Sequence, residues 1–70
     1  MKLSARNQIK KTVQTVRTDE IMAEVTVRTA GGETLVSVIT AASAGELNLA
    51  PGAAMIVVIK STEVMLATDT

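Results

Sequence analysis

The chain has no cysteine, no histidine and no aromatic residue among its 70 positions. Without cysteine no disulfide can staple it, and without cysteine or histidine the two best zinc ligands are missing. The same two absences remove the thiol nucleophile and the side chain that moves protons near neutral pH. An enzyme is therefore not expected. Without Phe, Tyr or Trp there is no ring on which a nucleic-acid base could stack. Charge of one sign is also lacking: seven basic residues balance seven acidic ones. Phosphate capture calls for a basic surplus, so a nucleic-acid partner is not expected either. The longest apolar run, "AAMIVVI" at 53–59, is far too short to cross a bilayer. "MKLSARNQ" has no apolar stretch after Lys2, as a secretory leader would. The expectation is a cytoplasmic protein with no membrane partner.

What is present is a hydrophobic fraction of 47%, carried by Val, Ile, Leu, Ala and Met. A chain this short buries only about 60% of its unfolded surface and is marginal alone. Small domains without disulfides or metals commonly rely on self-association. The composition thus predicts a single domain, 1–70, whose apolar faces are buried between copies.

The pattern along the chain is mainly β. Residues 8–16, "QIKKTVQTV", are rich in strand formers but alternate imperfectly. "RTDE" at 17–20 reads as a polar turn, and its neighbouring acids Asp19 and Glu20 as solvated turn residues. Residues 21–29, "IMAEVTVRT", alternate cleanly, with Ile21, Ala23, Val25 and Val27 on one face. Gly31-Gly32 suits a hairpin turn leading to a return strand at 34–39. The period then breaks. Thr40 is a good N-cap for a short Ala-rich helix running through Leu47, weakened by Ser43 and Gly45. Pro51-Gly52 is a turn. "MIVVIK" at 55–60 is apolar on both faces and reads as a strand covered on both sides. "VMLAT" at 64–68 reads as a last strand. The expected fold is all-β, an OB-like five-stranded β-barrel with one short helix between strands 3 and 4.

Scattered acids make no calcium loop, and Gly31-Gly32 lacks the Lys and helix start of a phosphate loop. What recurs near the strand ends is a set of small donors: "SARN" at 4–7, "TAAS" at 40–43 and "KST" at 60–62. Hydroxyls, an Arg fork and a Lys charge are the groups that bind a tetrahedral oxyanion. The free N–H groups opening a helix add to them. Each residue also has a plainer reading. Thr40 and Ser43 can serve only the helix start, Arg6 and Lys60 can be solvated charges, and Ser61-Thr62 can be a turn. Residue patterns leave both readings open.

The string "SARNQIK" resembles the opening of the molbindins, the Mop family of molybdate-binding proteins. Further similarity lies in "GG" at 31–32, "VITAAS" at 38–43, "LNLAPG" at 47–52 and "VVIKSTEVMLAT" at 57–68, in family order along nearly the whole chain. The resemblance implies an OB-like barrel assembled as a homohexamer, a trimer of dimers. It implies that molybdate, with tungstate as a substitute, is held between subunits for storage or homeostasis. Ser4 and Arg6 would contact the anion, with Ala5 and Asn7 as backbone or supporting neighbours. Lys60 and Ser61 would complete the set, and Thr40 and Ser43 would reach it from the adjacent subunit. Some members bind further anions on a symmetry axis, for which no motif here names residues. Lys11 departs from the Gly common in the family, which raises a question about the local turn or bulge. Two rival expectations come from other classes. One is an OB-fold binder of single-stranded nucleic acid; the other is a purely structural oligomer with "SARN" as an interface cluster.

Overall fold

A computed structural model describes residues 2–69; Met1 and Thr70, the ends of the expected 1–70 domain, lie outside them. The elements in chain order are β1 (Asn7–Thr18), β2 (Met22–Arg28), β3 (Thr34–Thr40), helix α1 (Ala41–Glu46) and β4 (Ala54–Ile59). A 3-10 turn, Ser61–Glu63, follows. The four strands form one sheet in the order β3-β2-β1-β4, and every pairing is antiparallel. The fold is thus all-β with one short helix between the third and fourth strands. No helix among the described residues is long and apolar enough to cross a membrane.

β1 is the organising element. Its first half pairs with β4, from Asn7↔Ile59 to Thr12↔Ala54. Its second half pairs with β2, from Thr12↔Arg28 to Thr18↔Ala23. The register slips between Val13 and Thr15. An extra residue in one strand of an antiparallel pair bends it and resets which side chains face in. That reset explains the imperfect alternation: Val13 is buried and Val16 half-buried although they lie three apart. The irregularity is not at Lys11, which pairs in register with Met55.

β2 alternates as its sequence predicts, burying Ala23, Val25 and Val27. Ile21 departs from that expectation and is 70% exposed. It falls in the turn before β2, where the Asp19 carboxylate accepts from the backbone N–H of Ile21 (2.8 Å) and Met22 (2.7 Å). The hairpin at 31–32 is present, with Gly32 at φ 87°, a left-handed conformation that glycine adopts without steric cost. Thr40 caps α1 as expected. The helix ends on Asn48 at φ 52°. There Asn48 N–H donates to Gly45 O and Leu49 N–H to Ala44 O, the paired bonds of a Schellman stop.

Two expectations about the C-terminal part need correction. β4 is not covered on both sides: Met55, Val57 and Ile59 are half-buried, but Ile56 and Val58 face solvent. The fifth strand is not formed. Residues 64–69 carry no strand, and Met65 and Leu66 are 92% and 93% exposed. A strand exists only against another strand's edge, and this segment leaves the 3-10 turn extended without joining the edge of β3 or β4. The sheet curls around Val13, Val25 and Val27, with Leu35, Ile39, Met55 and Val57 packed against them, but four strands do not close a barrel.

Candidate functional site

The antiparallel register of β1 and β4 decides which donors meet. Asn7 opens β1 and lies opposite Ile59, the last residue of β4. The residues just before Asn7 and just after Ile59 therefore emerge at the same end of the sheet. Those residues are Ser4, Ala5 and Arg6 on one side and Lys60 and Ser61 on the other. The Asn7 amide fastens this junction, its Nδ2 donating to the Ile59 carbonyl at 3.2 Å. Asn7 thus ties the start of β1 to the end of β4.

Gln8 was not singled out from sequence, yet its Nε2 donates to the Ala5 carbonyl at 3.0 Å. That bond spans three residues and pins the backbone of the "SARN" segment to the start of β1.

Arg6, Lys60, Ser4 and Ser61 are all exposed. Among the described residues no protein group engages the side chains of these four. Two cations and two hydroxyls at one strand end are therefore free to donate, and no carboxylate is among them. In water such bonds are weak, because each exchanges for one to solvent. Covering the cluster would lower the local dielectric and strengthen each charge-assisted bond. Two concavities formed by the described residues are lined by other residues. One, about 580 Å³, lies beside Lys10, Lys11 and Arg28. The other, about 320 Å³, lies between β3 and β4.

Thr40 and Ser43 are placed elsewhere. Thr40 pairs with Met22, and Ala23 with Thr18, so both helix-start residues belong to the far end of β1. β1 is 12 residues long, and at about 3.3 Å per residue no tetrahedral anion spans its two ends. Within one copy the register therefore separates Thr40 and Ser43 from Arg6 and Lys60. Thr40 Oγ1 also accepts from Ser43 N–H at 3.1 Å and shares a 2.8 Å hydrogen bond with Ser43 Oγ. One of their two hydroxyl protons is spent on the other oxygen. The pair offers one O–H outward, not two.

Comparison with known proteins now gives the class. The TOBE domain family model matches residues 3–66, and the chain belongs to that family. Within it, the chain is 44% identical over 66 residues to molybdenum-pterin-binding protein 1 of Clostridium pasteurianum, covering 94% of this chain and 97% of that one. It is 42% identical over 67 residues to the molybdenum-pterin-binding protein MopB of Rhodobacter capsulatus. There it covers 96% of this chain but spans only a quarter, 25%, of that longer relative. Among solved structures, MopII from Clostridium pasteurianum in an apo form superposes with a TM-score of 0.88 at 39% identity. The match covers 96% of this chain and 100% of that one. The cytoplasmic molybdate-binding protein ModG, with molybdate bound, gives 0.83 at 43% identity, covering 87% of this chain and 43% of that one.

Proposed function

We propose that the chain binds molybdate reversibly, with tungstate as a substitute, as a cytoplasmic storage or homeostasis protein and not as an enzyme. The observation that carries this reading is the Asn7–Ile59 junction, which gathers Ser4, Arg6, Lys60 and Ser61 at one strand end. Relatives and structural neighbours whose names describe molybdenum or molybdate binding support the choice of anion.

Arg6 and Lys60 supply charge to the oxyanion, and Ser4 and Ser61 supply neutral donors. Ala5 and Asn7 hold the backbone that presents them. Ser43, with Thr40 behind it, approaches from an adjacent subunit, so the site is complete only in a homo-oligomer, a hexamer built as a trimer of dimers. Each chain then acts as a single molybdate-binding domain. A donor-rich site without a carboxylate favours a fully deprotonated tetrahedral dianion. The proton of monohydrogen phosphate finds only weak hydroxyl acceptors there. Sulfate, a smaller tetrahedron, does not reach all the donors at once.

Calorimetry with molybdate, tungstate and sulfate tests this. Heat is expected with the first two. Arg6→Ala removes a charge-assisted bond of about 1.5–3 kcal/mol, so affinity should fall roughly 10- to 100-fold. Absence of heat with molybdate on the wild-type chain would sink the assignment.

A further inference from the structure

The segment carrying Ser4 and Arg6 precedes β1, so no strand ladder fixes the direction of its peptides. Ser4 and Arg6 make no hydrogen bond among the described residues. What holds the segment is the bond from Gln8 Nε2 to the Ala5 carbonyl, 3.0 Å. Gln8 is itself anchored, because it pairs with Val58 inside the β1–β4 ladder. A strand residue thus reaches back and fixes one particular peptide.

That peptide joins Ala5 to Arg6. Among the described residues no peptide bond is cis, and in a trans peptide the C=O and N–H point in opposite directions. Turning the Ala5 carbonyl toward Gln8 therefore turns the Arg6 N–H away from it. The carbonyl, the group that would repel an anion, is occupied. The N–H is presented on the residue that also carries the guanidinium, and no described group accepts from it. A hydrogen bond at the carbonyl also polarises the peptide, which makes its N–H a stronger donor. Rotated by half a turn, the same peptide would offer its carbonyl, and an anion would meet an acceptor where it needs a donor.

Resting on the molybdate reading, we propose that Gln8 is a positioning residue of the oxyanion site. It holds the Ala5–Arg6 peptide so that the Arg6 backbone N–H joins the side chains of Ser4, Arg6, Lys60 and Ser61 as a donor to the anion. Gln8 itself does not touch the anion. Donors already aimed at a charge are worth more than donors that must turn toward it on binding. A chain that presents the competent peptide only part of the time binds more weakly by that fraction. Gln8 is exposed, where one hydrogen bond adds little to folding. Its effect therefore shows in binding.

Gln8→Met tests this, since it keeps the length of the side chain and loses the amide. Gln14→Met is the control: the same change at an exposed β1 residue that engages no described group. Molybdate calorimetry, urea titration and backbone NMR are run on both and on the wild type. Gln8→Met should bind molybdate roughly tenfold more weakly, with the same number of anions per chain and the same urea midpoint. Gln14→Met should bind like the wild type. Molybdate should move the Arg6 amide proton of the wild type downfield. Without molybdate, relaxation should show the Arg6 amide more mobile in Gln8→Met than in the wild type. Undiminished affinity in Gln8→Met, an equal loss in Gln14→Met, a loss matched by a fallen urea midpoint, an equally ordered Arg6 amide in Gln8→Met, or an Arg6 amide proton that ignores bound molybdate would each overturn the inference and leave the proposed function standing. A wild-type chain that takes up no molybdate would sink both.

Discussion

Val25 and Val36 sit on adjacent paired strands, yet one is 1% exposed and the other 63%. The contrast divides the molecule. Around β1 and β2 a bulged strand wraps Val13, Val25 and Val27 into a dry centre. Around β3 and β4 the outward-facing Val36, Val38, Ile56 and Val58 stay in water. Residue type does not separate the two regions, since both are Val-rich strands. Face does: Val25 points into the curl of the sheet, where Leu35 and Ile39 of β3 and Met55 and Val57 of β4 join it, and Val36, in register with Thr26, points away. Composition therefore overstates what a single copy can bury, and the excess lies on the outer face of β3 and β4.

The same substitution in both places puts that contrast at risk. Val25→Ala leaves a small cavity and should cost roughly 2 kcal/mol of unfolding free energy in urea titration. Val36→Ala at an exposed position should stay within about 0.5 kcal/mol. An equal cost at both sites that disappears for Val36 on dilution would place Val36 in an interface between copies. An equal cost independent of dilution would break the comparison altogether.

The better-packed region was also the more legible one. The alternation of 21–29 gave β2 and its buried face, and Gly31-Gly32 gave the hairpin, because period and turn chemistry are local properties. Thr40 was legible as a cap for the same reason. The bulge in β1 was not, because a register slip depends on two partner strands at once and shows in sequence only as failed alternation. Residues 55–60 were read as a strand covered on both sides and 64–68 as a last strand, from their apolar composition. That pattern reports what a segment favours, not whether a strand edge is there to receive it. At the candidate site, residue types suggested donors and the family resemblance named the anion. The junction of Arg6 with Lys60 required the register of β1 against β4. Gln8 went unseen because its bond to Ala5 is a matter of local geometry with no motif behind it.

A second and smaller effect concerns the boundary between the regions. Thr40 ends β3 and caps α1, and Thr40→Ala should cost about 1 kcal/mol. Thr40→Ser keeps the accepting oxygen and should restore most of it. The shared hydrogen bond between Thr40 and Ser43 sharpens the test. Removing the Thr40 hydroxyl frees the Ser43 oxygen without removing the outward O–H. Molybdate affinity should then fall less for Thr40→Ala than for Ser43→Ala, as calorimetry at matched folded fraction reads it. The reverse order would make Thr40 the donor and Ser43 its support.

The smallest effect lies in the turn that joins the two best-packed strands. Hydrogen bonds from the backbone of Met22, and then of Ile21, hold the Asp19 carboxyl below its ordinary value of 3.8. A carboxylate lowered on folding contributes stability above its unfolded value and loses that contribution as pH falls through the lower folded value. The turn should therefore matter fully at neutral pH and fail progressively only below 3.8. Asp19→Asn keeps an oxygen that can accept both bonds but cannot titrate. Urea midpoints of the two proteins should run parallel above the ordinary carboxylate value and converge below it. The side chain is fully exposed, so the difference is small even at its largest. Curves that stay parallel into strong acid would show that the bonds to Ile21 and Met22 are equally strong to a protonated carboxyl. The turn would then be held by the accepting oxygen alone, and the packed half of the molecule would owe nothing to the charge of Asp19.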